Sequence, residues 1–168
     1  PRTPYLIADA ERRLQWRALF ASWGKPVIGI AWTGGRAATQ RKERLVGLEA
    51  FRPLIESRPD AIFVSLQYTD PTDEIAATGL PVRHSHRAVQ SPDYDDTAAF
   101  VAELDDIIGI HTTIHHLAGA LGKKSTVLVP SRPMWNYALG DESPWYANQK
   151  YHRQRKSESL ADCIKRLT

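Results

Sequence analysis

Four short apolar stretches constrain this chain more than anything else in it: Val27-Ile28-Gly29-Ile30-Ala31-Trp32, Ala61–Leu66, Ile107–Ile110 and Thr126–Val129. Each is too short for a stable helix and nearly unbroken in apolar character, the pattern of a strand buried on both faces. Segments of helical character lie around them. Ala8–Trp23 reads as an amphipathic helix with Leu14, Leu19 and Phe20 on its apolar side, Asp9 as N-cap and Gly24 as stop. Leu48–Ser57, Ala98–Leu104 (capped at Asp96-Thr97), Thr113–Leu121 (stopped by Gly122) and Ser157–Leu167 read as further helices, and Pro81–His84 as a short extra strand. Buried strands that alternate with helices predict a parallel sheet, and right-handed crossovers then put helices on both faces. The expected architecture is a Rossmann-like α/β domain spanning residues 1–168.

In such sheets ligands bind beyond the carboxyl ends of the strands. The loops to inspect are therefore 33–46, 67–73, 111–113 and 131–145. The 168 residues suit one domain, and the 42% hydrophobic content is enough for one core. No run of ~18 apolar residues is present, so no membrane-spanning helix is expected. The start, Pro1-Arg2-Thr3-Pro4, carries neither an initiator Met nor a secretory pattern, and a fragment of a longer chain is expected. The single cysteine, Cys163, precludes a disulfide framework within one copy and fits a reducing cytoplasm. A net charge of +3 is compatible with an anionic ligand. The basic clusters Arg36–Arg44 and Lys150–Lys156 read as solvated faces, and no nucleic-acid partner is expected.

Four places can carry chemistry. At Trp32-Thr33-Gly34-Gly35 the glycines allow close approach to the backbone, amides there can cradle an anion, and Arg44 downstream can grip it. The same residues also read as a plain strand-exit turn. At His111-Thr112-Thr113 a strand gives way to a helix, whose N-terminus favours phosphate; His116 lies one turn in, where its ring can meet a phosphate oxygen. The aromatic stretch Pro130–Tyr146 reads either as a wall beside a base or as core packing. Gln67, after a buried strand, can read a base or be an ordinary loop residue. The histidines 111, 115 and 116 lack the spacing of a metal set, since adjacent residues point to different helix faces. No nucleophile elbow is present, and Asp105-Asp106 read as a helix–strand junction.

These pieces, in this order, resemble the C-terminal domain of glycosyltransferase family nine-like proteins, the heptosyltransferases and the bacterial proteins in which such a domain follows tetratricopeptide repeats. The resemblance covers nearly the whole chain. It rests on Pro4-Tyr5-Leu6, Ile28–Gly34, Arg44, Ser65-Leu66-Gln67, Asp96–Ala99, His116–Gly122 and Gly140, Ser143, Pro144, Trp145 and Tyr146. It implies the C-terminal half of a GT-B glycosyltransferase, holding a nucleotide diphosphate sugar for transfer to an acceptor the sequence does not specify. It implies Thr33, Arg44, Thr112, Thr113 and His116 near the diphosphate, commonly without a metal, and a facing N-terminal domain that carries the catalytic base; with Gly34, Gln67 and His111 these are the expected donor-binding residues, and no metal or cofactor is expected. Two departures stand out. His111 occupies the place where the family usually has Asp, and Gly35 the place where Asn is common. A His is not an anionic acceptor, so the resemblance leaves open a degenerate, non-catalytic domain that serves as a binding module.

Overall fold

The computed structural model describes residues 3–34 and 46–168. Six strands form one sheet: β1 (Val27–Ala31), β2 (Ile62–Ser65), β3 (Val82–Arg83), β4 (Asp106–Ile110), β5 (Ser125–Val129) and β6 (Gln149–Arg153). Their order is β3-β2-β1-β4-β5-β6, and every neighbouring pair is parallel. This is the doubly wound order, in which the direction of winding reverses between β1 and β4.

Alternate residues of the inner strands feed two cores. On one face Val27, Ala31, Val64, Leu66 and Ile107 pack under α1 (Ala10–Trp23), α4 (His86–Val89), α5 (Tyr94–Glu103) and α6 (Thr113–Ala120). On the other, Ile28, Ile30, Phe63, Ile108, Ile110 and Leu128 meet a 3₁₀ turn (Leu48–Phe51), α2 (Arg52–Glu56), α3 (Thr72–Thr78) and α7 (Leu160–Lys165). The expected parallel sheet with helices on both faces is what the chain forms.

The differences from the sequence reading have local causes. Asp9 caps α1 by accepting from the Arg12 amide at 2.8 Å, and Gly24 closes the helix in the left-handed conformation (φ 65°), both as expected. The buried face is different: Trp16 and Phe20 are inside, whereas Leu14 and Leu19 are 59% and 41% exposed. Trp16 stacks edge-on to Phe100 at 4.8 Å between ring centroids, so the larger aromatic surface takes the seat against α5. Helix α5 starts earlier than expected, because Asp93 rather than Asp96 is the cap and accepts from the Asp95 amide. Asp96 is instead drawn to Arg12. Leu48–Ser57 splits into a 3₁₀ turn and α2, with Pro53 in the first turn of the latter. Three elements, α3, α4 and β6, carry little hydrophobic periodicity and are not predicted from the sequence. Strand β6, Gln-Lys-Tyr-His-Arg, is an edge strand that buries Gln149 and Tyr151 while Lys150 stays in water.

Glycines set the tightest contacts of the sheet. A Cβ on Gly109 would stand 2.4 Å from the Ala31 carbonyl oxygen, so β1 and β4 approach as closely as they do only because that position has no side chain.

Candidate functional site

The winding reverses between β1 and β4. The chain after β1 goes on to the α2 face and the chain after β4 to the α6 face, so the two exits part at the place where sheets of this kind commonly bind ligands. Gly34, leaving β1, lies so near Thr112 that a Cβ there would be 2.5 Å from its methyl carbon. The first and second predicted sites are therefore one site.

On the β4 side, Thr112 is the N-cap residue of α6 but makes no side-chain capping bond. Its hydroxyl oxygen is shielded from solvent and has no hydrogen-bond partner among the described residues. Thr113, the first helical residue, is exposed. An uncapped helix N-terminus with two threonine hydroxyls is an arrangement suited to an anion, through free amides and the positive end of the helix dipole.

On the β1 side the geometry narrows the expectation. Gln67 is buried at 3% exposure, and its carboxamide oxygen accepts from the Trp32 and Thr33 amides at 3.2 and 3.3 Å. It is a clamp on the turn. Two of the amides pictured as an anion cradle already have this acceptor, and the carboxamide oxygen pictured as reading a base is engaged. Glu74 on α3, which no local sequence signal marks, makes a second clamp. One oxygen accepts from Trp32 Nε1 at 2.6 Å and the other from the Leu48 amide at 2.7 Å. The Val46 amide bonds the Trp32 carbonyl at 3.2 Å, so the chain leaves and re-enters at one place. Arg44 and Gly35 fall between those points and lie outside the described residues.

The histidines divide among three surroundings. His111 is 3% exposed, with its ring edge-on to Tyr137 at 5.1 Å. His115 is fully enclosed under α6, and burial pushes its pKa down to about 3, so it is neutral. His116, expected to face a phosphate, turns toward the loop after β5. Its Nδ1 lies 3.3 Å from the Tyr146 hydroxyl and its Nε2 3.4 Å from the Asn136 amide nitrogen. The Asn136 amide donates to Nε2, which places the ring proton on Nδ1, toward Tyr146. Burial also lowers the His116 pKa.

His116 lines a cavity of about 240 Å³ with Tyr5, Trp135, Asn136, Trp145 and Tyr146. The aromatic stretch is split between the two readings given for it. Tyr137 and Tyr146 are buried, whereas Trp135 and Trp145 are 83% and 50% exposed. Ser143, fully buried, organises the loop: its hydroxyl oxygen accepts from the Trp145 and Tyr146 amides and from the Tyr151 hydroxyl, all at 3.0–3.2 Å. The Tyr146 ring lies flat on Gly119, where a Cβ would come within 2.2 Å of it. Gly119, Ser143 and Tyr146 thus belong to one packing unit, although Gly119 is far from the other two in sequence.

A doubly wound α/β domain with an uncapped helix N-terminus at its switch point is the class that fold and site define. Two of the solved structures it matches are glycosyltransferases. The ADP-heptose LPS heptosyltransferase II of E. coli superposes with a TM-score of 0.68 at 15% identity, over 98% of this chain and 51% of that one. A family 9 glycosyl transferase from Veillonella parvula gives 0.65 at 14% identity, over 89% and 42%. At these identities the likeness is one of fold. Protein FlbA of Caulobacter vibrioides is 28% identical over 150 residues, 86% of this chain and 25% of FlbA. The chain therefore spans about a quarter of that relative and about half of the solved chains. No family profile matches the chain. No helix among the described residues is long and apolar enough to cross a membrane.

Proposed function

We propose that the chain is the donor-binding domain of a GT-B glycosyltransferase, its C-terminal half, and that it holds the diphosphate of a nucleotide sugar at the N-terminus of α6. The observation that carries this reading is the meeting of Gly34, Thr112 and Thr113 at the switch point, with the helix end uncapped and the Thr112 hydroxyl unpartnered. Departure of a diphosphate concentrates negative charge on its oxygens, and preorganised amides and hydroxyls stabilise it without reorganisation. Arg44 belongs to the same site in this reading, as the cation that completes it. The aromatic cavity beside His116 suits the base or sugar, and the exposed Trp135, Leu139 and Trp145 suit a facing N-terminal domain of the same protein. The acceptor and the catalytic base then lie on that domain.

The test is calorimetric titration with UDP, ADP and GDP and then their sugar conjugates. One nucleotide is expected to bind saturably. Arg44→Ala weakens it by about 1.5–3 kcal/mol, the worth of a charge-assisted hydrogen bond, and Thr113→Ala by about 1 kcal/mol. A dissociation constant unchanged in both variants removes them from the site.

A second reading, a domain that binds without turnover, is favoured by His111. The residue stands where the resembling family has Asp, and it is buried against Tyr137 rather than presented to a ligand. Under this reading His111→Asp does not raise affinity for any sugar nucleotide.

A further inference from the structure

At the outer end of the sheet, away from the switch point, three side chains from separate elements converge. Asp70 lies in the loop between β2 and α3, His84 just beyond β3, and His86 at the first position of α4. Each offers one ligand atom, and the three atoms all lie within 4.8 Å of one another. We propose that Asp70, His84 and His86 bind a divalent transition-metal ion of the zinc class.

The chemistry of the set carries this. Two imidazoles and one carboxylate are the donors that zinc and similar borderline ions take, with a further position left to water. On a zinc ion, bonds of 2.0–2.2 Å bring neighbouring donors to about 3.3 Å from one another. His86 Nε2 and Asp70 Oδ2 are already at 3.7 Å, and both side chains are more than half exposed, so closure needs only small rotations. Neither ring nitrogen of His84 has a partner of normal hydrogen-bond geometry, and both are shielded from water, with Gln90 nearby. A plain surface pair between His86 and Asp70 would give no reason for a third ring to be held there, 4.9 Å from the ring of His86.

The outer partners are also in place. Gln90 Oε1 contacts His86 Nδ1, which fixes the proton on Nδ1 and turns the Nε2 lone pair toward Asp70. Thr72 donates to Asp70 Oδ1 through its amide at 2.9 Å and its hydroxyl at 2.5 Å, which leaves Oδ2 for the ion. Metal ligands elsewhere are oriented by the same two devices. The ion ties the loop after β2 to the end of β3 and the start of α4. Strand β3 has only two residues and forms the edge of the sheet, so this is where an added link constrains most. The site is two strands, about 10 Å, from β1, and separate from the proposed diphosphate site.

The test uses untagged protein, dialysed against chelator, then titrated with Zn²⁺ by calorimetry and with Co²⁺ by visible absorption. Wild type is expected to bind one ion with micromolar affinity or tighter, to show ligand-field bands with Co²⁺, and to melt at higher temperature with Zn²⁺. His84→Ala and His86→Ala each weaken binding more than tenfold and abolish the bands, and Gln90→Ala weakens it about tenfold. His152→Gln, at a histidine outside the cluster, leaves binding intact. Melting curves without metal verify that each variant is folded, and His86, being exposed, is the variant least able to disturb the core. Equal affinity in wild type and His86→Ala, or no binding at all by wild type, overturns the proposal.

Discussion

Two regions share the carboxyl edge of this sheet and are built on opposite principles. The switch point between β1 and β4 is made where side chains are missing or small: Gly34 against Thr112, Gly109 against Ala31, and backbone amides held by Gln67. The loop between β5 and β6 is made of large rings, of which Tyr137 and Tyr146 are inside while Trp135 and Trp145 remain in water. The first region has almost no freedom to adjust, because a side chain at Gly34 or Gly109 would run into an immediate neighbour. The second has packed its inner half and left an apolar outer half unspent. A site that must hold a small anion needs the first kind of rigidity, and a surface that must meet something larger keeps the second kind of exposure.

The comparison can be broken most severely at Gly109. Gly109→Ala sets a methyl group 2.4 Å from the Ala31 carbonyl oxygen and 2.8 Å from its nitrogen, and no rotamer relieves a clash with backbone. A loss of about 3 kcal/mol is expected in urea unfolding, at the upper end for overpacking. A loss under about 1 kcal/mol would mean that the strands are not so tightly matched.

Gln67→Leu comes next. It keeps the volume but leaves the Trp32 and Thr33 amides without their acceptor, at a cost of about 2 kcal/mol. Amide exchange at Trp32 and Thr33 should accelerate while that in β5 does not. Uniform acceleration across the sheet would mean that Gln67 supports the fold as a whole and not the turn.

A third variant tests the frame beneath both regions. Glu103 on α5 is 9% exposed and joins Arg13 at 2.6 Å and Arg17 at 2.9 Å on α1. Burial alone would raise its pKa, but the hydrogen bonds from Arg17 and Arg13 outweigh that and hold it below the usual glutamate value. A depressed carboxyl contributes stability above its unfolded pKa of about 4.3, and that stability is lost as the pH falls through the folded pKa. Glu103→Gln should therefore cost about 1 kcal/mol at neutral pH and close to nothing once the pH is well below both values. A cost that persists undiminished in acid would assign the effect to packing.

The smallest effect belongs to the exposed loop. Trp135→Ala should change stability by less than about 0.5 kcal/mol, since the side chain is 83% exposed. It should nonetheless weaken association with a separately expressed facing domain. A large loss of stability would show that the ring is packed in solution, and would remove the contrast between the two regions.

The layers are legible in the chain alone. Four apolar stretches too short for helices could only be inner strands, and the parallel pairing of β1, β2, β4 and β5 followed from the helices between them. The sequence also marked the start of α6, because a Thr-Thr pair after a buried strand is a helix N-terminus signal. These are local signals, carried by neighbours in the chain. Features that depend on residues far apart emerge only in the fold. Which face of α1 is buried was settled by Phe100, not by the leucines of α1. Strand β6 has no apolar pattern, and it pairs because β5 offers an open edge. Gln67 and Glu74 are unremarkable polar residues in the sequence and become clamps only when β2 and α3 arrive beside Trp32. His84 reads only as the end of a short strand, and His86 falls in no predicted element, until the loop from β2 brings Asp70 to them. A strand or a helix start is specified by consecutive residues, whereas the partner of a buried polar group, or of a metal ligand, is specified by topology.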